Sequence, residues 1–152
     1  MIVEVVNFLP EELVDDLVEF SKRTDVPWEK QEMQENLPRR KISWLLDSPI
    51  ETAHNYFAGL KMFSHLHFMG ITLWEDAENF WMSSHLDNDR VKVAVQIYLD
   101  DRNSPGTQFT DRMIKYGRNR GYILYNVPPE MAHGVPDRTP HEGRLSIYAL
   151  YE

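Results

Sequence analysis

Val91-Lys92-Val93-Ala94-Val95-Gln96-Ile97-Tyr98-Leu99 alternates along its whole length. Neighbouring side chains of an extended strand point to opposite faces, so Val91, Val93, Val95, Ile97 and Leu99 form one wholly aliphatic face. Lys92, Ala94, Gln96 and Tyr98 form a mixed, partly polar one. If helices cover the aliphatic face, the mixed face must line something polar, which points to a site inside a roll of strands.

On the C-terminal side the same period of two continues in short runs: Leu66–Trp74, a piece near Gln108–Phe109, Tyr122–Val127, a short run near His133, and Arg144–Tyr151. On the N-terminal side, after a short strand at Ile2–Val6, the period changes to that of a helix. Pro10 suits a first helical position, and Leu13, Val14, Leu17, Val18 and Phe20 fall on one face. A second helix starts at Ser48-Pro49-Ile50-Glu51, with Ser48 as its cap and Ile50, Ala53, Phe57 and Leu60 on one side. Between the helices, Thr24 to Leu37 is polar and interrupted by Pro27, predicting irregular chain that leads into a strand near Ile42–Leu46. The expectation is a mainly β fold with N-terminal helices, in which residues 1–65 form helical support and 66–152 a roll of strands. With 152 residues, the chain reads as a single domain.

Composition narrows the chemistry. Cysteine is absent, which excludes disulfides and thiolate metal sites, so any metal must be held by His and oxygen ligands. The net charge of −8 disfavours binding to duplex nucleic acid. Met1-Ile2-Val3-Glu4 lacks the start of a signal peptide and no apolar stretch approaches the ~20 residues of a membrane span, predicting a cytoplasmic protein. The charged segment from Asp100 to Arg120, carrying Gly106 and Gly117, is expected to be a mobile flap.

His85-Leu86-Asp87 places an imidazole and a carboxylate on one side of an extended strand, whereas in a helix they would diverge by about 200°. One further imidazole would complete two histidines and a carboxylate on one face of a metal, with the other positions open. His133, after a Pro128-Pro129 turn and before Gly134, is the candidate. Arg144 and Ser146, in Arg144-Leu145-Ser146, share a strand face and can together grip a carboxylate. His65-Leu66-His67 is a rival pair with the same spacing but no accompanying carboxylate and arginine, and it reads as structural. His54 and His141 read as exposed. Trp74, Trp81, Tyr122, Tyr125 and Tyr148 read as core, with Trp81 and Tyr125 the two to watch at the mouth of the roll.

The ordered set His85-x-Asp87, His133 and Arg144-x-Ser146 resembles the 2-oxoglutarate/iron(II)-dependent oxygenases, and within them the prolyl-4-hydroxylase-like branch. The resemblance spans about residues 81–152. It implies a double-stranded β-helix (jelly roll), with Fe(II) held by His85, Asp87 and His133. Arg144 would take the distal carboxylate of 2-oxoglutarate, assisted by Ser146. Tyr98 matches a tyrosine whose hydroxyl meets the same carboxylate, and Gly106-Thr107-Gln108-Phe109 resembles the family's glycine-rich turn. The implied activity is a dioxygenase: 2-oxoglutarate and O2 are consumed, succinate and CO2 released, and an unactivated C–H bond hydroxylated. A prolyl peptide or an amino acid leads as substrate. The alternative is a cupin-like metal-binding isomerase or small-molecule sensor without redox turnover, which would need the metal triad but not Arg144 with Ser146.

Overall fold

The structure, a computed structural model, describes residues 1–32, 38–125 and 131–152. Its strands are β1 (Ile2–Val6), β2 (Glu29–Glu32), β3 (Pro38–Ser43), β4 (Phe68–Asp76), β5 (Met82–His85), β6 (Val93–Tyr98), β7 (Thr107–Phe109), β8 (Met113–Ile114), β9 (Arg120–Tyr125), β10 (His133–Val135) and β11 (Arg144–Tyr151). Helix α1 spans Glu11–Ser21 and α2 Pro49–Ala58. The strands form two antiparallel sheets, a large one in the order β1-β9-β6-β11-β4-β3-β2 and a small one in the order β5-β10-β7-β8. This is a mainly β, antiparallel architecture consistent with a jelly roll.

β6 sits inside the large sheet between β9 and β11, and its two faces divide as the alternation predicts. Val93, Val95, Ile97 and Leu99 join Leu13, Val14 and Leu17 of α1 and Ile50, Ala53 and Phe57 of α2 in the main core. Tyr98 and Ala94 belong to a second cluster on the other face, with Phe109, Ile114, Tyr122 and Leu124; Val91, expected on the aliphatic face, precedes β6 and packs in this second cluster instead. Helices on one face therefore leave the opposite face of the large sheet to meet the small sheet, and the site lies in that space. Ser48 caps α2 by accepting a hydrogen bond from the Ile50 N–H at 3.2 Å, and Pro49 fills the first helical position, where its missing N–H costs nothing.

Several elements differ from the sequence expectation. Glu29–Glu32 is a strand rather than irregular chain; its polar sequence carries no alternation because it lies at the sheet edge and, among the described residues, pairs with β3 alone. The strand expected near Ile42–Leu46 runs earlier, over Pro38–Ser43. The residues before 65 supply three strands of the large sheet as well as both helices. Val127, the Pro128-Pro129 turn and the end of the Thr24–Leu37 segment lie outside the described residues.

Charged residues of the 100–120 segment pair within the segment and with neighbouring elements. Arg102 bridges Asp100 and Glu75, and Arg118 bridges Glu11 and Asp15 of α1. The Tyr116 hydroxyl donates to Asp100, and Gly106 abuts the backbone of Ile114 so closely that a Cβ would stand 1.5 Å from its carbonyl oxygen. Among the described residues, no helix is long and apolar enough to cross a membrane.

Candidate metal centre and anion pocket

β10 pairs with β5 so that His133 and His85 stand directly opposite each other. Asp87 lies two residues beyond the end of β5, and Leu86 between them is half exposed. The ligand-type atoms of the three residues lie within 4.8 Å of one another. Asp87 Oδ1 is 3.9 Å from His85 Nε2 and 3.6 Å from His133 Nε2.

Each imidazole has its Nδ1 against a backbone carbonyl, His85 on Ser83 at 3.1 Å and His133 on Met131 at 3.2 Å. A carbonyl can only accept, so Nδ1 carries the proton and the Nε2 lone pair is left facing its partners, the tautomer a metal ligand requires. Burial pushes the His133 pKa below the ordinary histidine value, with Asp87 offsetting part of the shift, and the ring is thereby kept neutral. The Tyr148 hydroxyl donates to Asp87 Oδ2 at 2.8 Å, which fixes the carboxylate and leaves Oδ1 toward the histidines.

These three residues line a cavity of about 580 Å³ whose opposite wall belongs to the large sheet. On that wall, Arg144 is 2% exposed. Its Nε and Nη1 have no hydrogen-bond partner among the described residues, and its Nη2 reaches Thr107 Oγ1 only at 3.5 Å. A buried guanidinium with donors unspent is costly unless an anion completes it. Around it runs a polar network. Thr107 Oγ1 lies 2.6 Å from the Tyr98 hydroxyl and donates to Gln96 Oε1, Tyr122 donates to the same oxygen, and Gln96 Nε2 donates to Ser146 Oγ. Burial raises the pKa values of Tyr98, Tyr122 and Tyr148, so all three phenols are neutral donors.

The structure brings together all six residues singled out from the sequence, in two ranks. His85, Asp87, His133 and Arg144 line the cavity, while Tyr98 and Ser146 stand behind Thr107 and Gln96. Sequence reasoning missed Thr107, Gln96 and Arg39, and it read Trp74 and Tyr148 as core although both line the cavity; Tyr122 is in the core as expected and borders the cavity as well. The signal was present for Tyr148, which shares the alternating face of β11 with Arg144 and Ser146. Trp81 and Tyr125 do not border this cavity: Trp81 lines a separate groove with Gln108 and Phe109, and the Tyr125 hydroxyl meets Met62 Sδ. His141 is buried, not exposed, because its loop folds inward; Nε2 donates to the Phe80 carbonyl and Nδ1 accepts from the Gly143 N–H. His54 is half-buried between the rings of Trp44 and Phe68. His65 and His67 are exposed ahead of β4.

No protein-family model matches the sequence, and no curated protein is similar enough to match. Solved structures do match. A Pseudomonas putida prolyl-4-hydroxylase superposes with a TM-score of 0.71 at 15% identity, over 99% of this chain and 91% of that one. A viral collagen prolyl hydroxylase from Paramecium bursaria Chlorella virus-1, complexed with 2-oxoglutarate, gives 0.68 at 12% identity, over 99% and 94%. HygX from Streptomyces hygroscopicus, with nickel and 2-oxoglutarate bound, gives 0.69 at 13% identity, over 99% and 82%. The chain therefore has the fold of the prolyl hydroxylases and related 2-oxoglutarate/iron(II) oxygenases.

Proposed function

We propose that the chain, as one domain over residues 1–152, is a 2-oxoglutarate- and Fe(II)-dependent dioxygenase that hydroxylates an unactivated C–H bond. The observation that carries this reading is the pairing, in one cavity, of a His85–Asp87–His133 donor set with a buried Arg144 whose Nε and Nη1 have no hydrogen-bond partner among the described residues. Two imidazoles and a carboxylate suit iron(II), and thiolate competition is excluded by the absence of cysteine. The charges fit the co-substrate as well. Arg39 and Arg144 offset Asp76 and Asp87, so a divalent metal would leave a positive excess equal to the charge of a dicarboxylate dianion.

Iron(II) with 2-oxoglutarate and O2 supplies an oxidant able to take hydrogen from a C–H bond, with succinate and CO2 released. The chain's own residues bind and orient. His85, Asp87 and His133 hold the metal, with Nδ1 of each imidazole tied to its carbonyl and Asp87 braced by Tyr148. Arg144 anchors the distal carboxylate. Thr107 stands next to that anchor, with Tyr98 behind it and Ser146 held through Gln96, so that a hydrogen-bonded hydroxyl network backs the anion site. Trp74, Val135 and Leu150 supply apolar wall that limits water.

A prolyl peptide or an amino acid is the first substrate class to test, in keeping with the relatives named as prolyl hydroxylases, and the cytosol is the expected setting. Adding Fe(II) and 2-oxoglutarate under anoxia should produce a visible metal-to-ligand charge-transfer band. A substrate screen should then raise succinate formation above the uncoupled background. No band with both ligands present would reject the oxygenase reading in favour of a redox-silent metal site.

A further inference from the structure

We propose that Arg39 is a positioning residue for the co-substrate anchor: by engaging Asp76, it keeps that carboxylate from capturing Arg144. The inference rests on the reading of Arg144 as the 2-oxoglutarate anchor. Asp76 on β4 is the direct cross-strand partner of Arg39 on β3 and of Arg144 on β11, so a single buried carboxylate lies between two guanidinium groups on one sheet face. All three side chains are removed from solvent, Arg39 at 11%, Asp76 at 3% and Arg144 at 2% exposure.

The sharing is unequal. Arg39 Nε donates to Asp76 Oδ1 at 2.8 Å, whereas Arg144 Nε stands 3.9 Å from Oδ2, beyond hydrogen-bond distance. Arg39 is fixed in this pose by aromatic faces, with its guanidinium carbon 3.9 Å from the Trp74 ring centroid and 4.9 Å from that of Phe80. The adjacent Glu75, on the opposite face of β4, is committed to Arg40 and Arg102 and does not compete. Asp76 thus has its charge satisfied from the β3 side, and Arg144, which lines the cavity, keeps Nε and Nη1 without a hydrogen-bond partner among the described residues. Without Arg39, a buried carboxylate would be left with Arg144 as its neighbouring cation on the ladder and would turn to it. The incoming dicarboxylate would then have to displace an internal anion from its own anchor.

The test is titration of 2-oxoglutarate into Fe(II)-loaded, oxygen-free protein, read by the charge-transfer band. Four variants are compared with the parent, and metal content is measured separately. Arg39→Met keeps an unbranched side chain between Trp74 and Phe80 and should weaken 2-oxoglutarate at least tenfold at unchanged metal content. Arg39→Met with Asp76→Asn removes the competing charge and should return affinity to within about threefold of the parent. Arg39→Lys should fall between the parent and Arg39→Met. Asp76→Asn alone should bind at least as tightly as the parent, and this variant decides the matter if Arg39→Met does not fold.

Parent-like affinity in Arg39→Met, no rescue in the double variant, or a tenfold loss in Asp76→Asn would each overturn the proposal. A parent chain that binds iron but no 2-oxoglutarate would instead refute the oxygenase reading beneath it.

Discussion

His85 and His133 are direct partners across the antiparallel pair of β5 and β10, their ring centroids 4.8 Å apart and each Nδ1 tied to the carbonyl two residues earlier in its own chain. The pairing register of the small sheet, rather than any loop, therefore sets the spacing of the two imidazoles. Asp87→Ala or His133→Ala should abolish tight iron binding with little loss of fold, because two remaining ligands make a much weaker site. Elemental analysis of the purified variants decides it. Iron at full stoichiometry in either one would mean the triad is misassigned.

Gly134 tests the same register without touching a ligand. A Cβ at this position would stand 2.5 Å from the Met82 carbonyl oxygen, a backbone atom of β5 that cannot step aside unless the strand moves. Gly134→Ala should therefore separate His85 from His133, lowering iron affinity and costing about 1–3 kcal/mol of stability. Denaturation midpoints and metal titrations measure the two effects. Unchanged values for both would show that β5 has room to yield.

Arg144 should set co-substrate affinity without holding iron. Arg144→Ala is expected to retain metal and weaken 2-oxoglutarate by about 3–5 kcal/mol, or roughly two to four decades, as for loss of one partner of a buried charge pair. Arg144→Lys should recover part, since a point charge cannot reproduce a bidentate fork. Anoxic titrations give each affinity directly, and parent-like binding by Arg144→Ala would remove the anchor assignment.

The hydroxyl next to that anchor should contribute less. Thr107→Val keeps shape but deletes the oxygen that meets Tyr98, Gln96 and Arg144, so 2-oxoglutarate affinity should fall by about 1 kcal/mol. Tyr98→Phe should have an effect of similar size. An effect as large as that of Arg144→Ala would imply that the network, rather than the guanidinium, carries the binding.

A pH dependence follows from His133. Burial lowers its pKa in the fold, so below the ordinary value of about 6.5 the unfolded chain binds the proton that the folded chain resists. This contribution to stability is fully present above that value and is lost as pH falls through the lowered folded pKa. Urea midpoints of the metal-free parent should drop over this window more steeply than those of His133→Gln, and equal slopes would rule the contribution out.

By itself, the sequence determined the pieces whose physics is local. A period of two in Val93–Leu99 and Arg144–Tyr151 settles which residues share a strand face, and the period of α1 and α2 settles which side meets the aliphatic face of β6. His85-x-Asp87 and Arg144-x-Ser146 could be paired in advance because two-residue spacing in extended chain is a geometric constraint. Tertiary structure decided what depends on strand neighbours distant along the chain. β2 gave no signal because an edge strand that buries little carries no hydrophobic alternation. Thr107 and Gln96 became the inner layer of the anion site, with Tyr98 and Ser146 behind them, because the packing of β7 against β6 and β11 sets depth, and depth leaves no trace in a strand's period. Asp76 stands between Arg39 and Arg144 only because β4 is flanked by β3 and β11, an order set by how the sheet closes and by no property of those three residues.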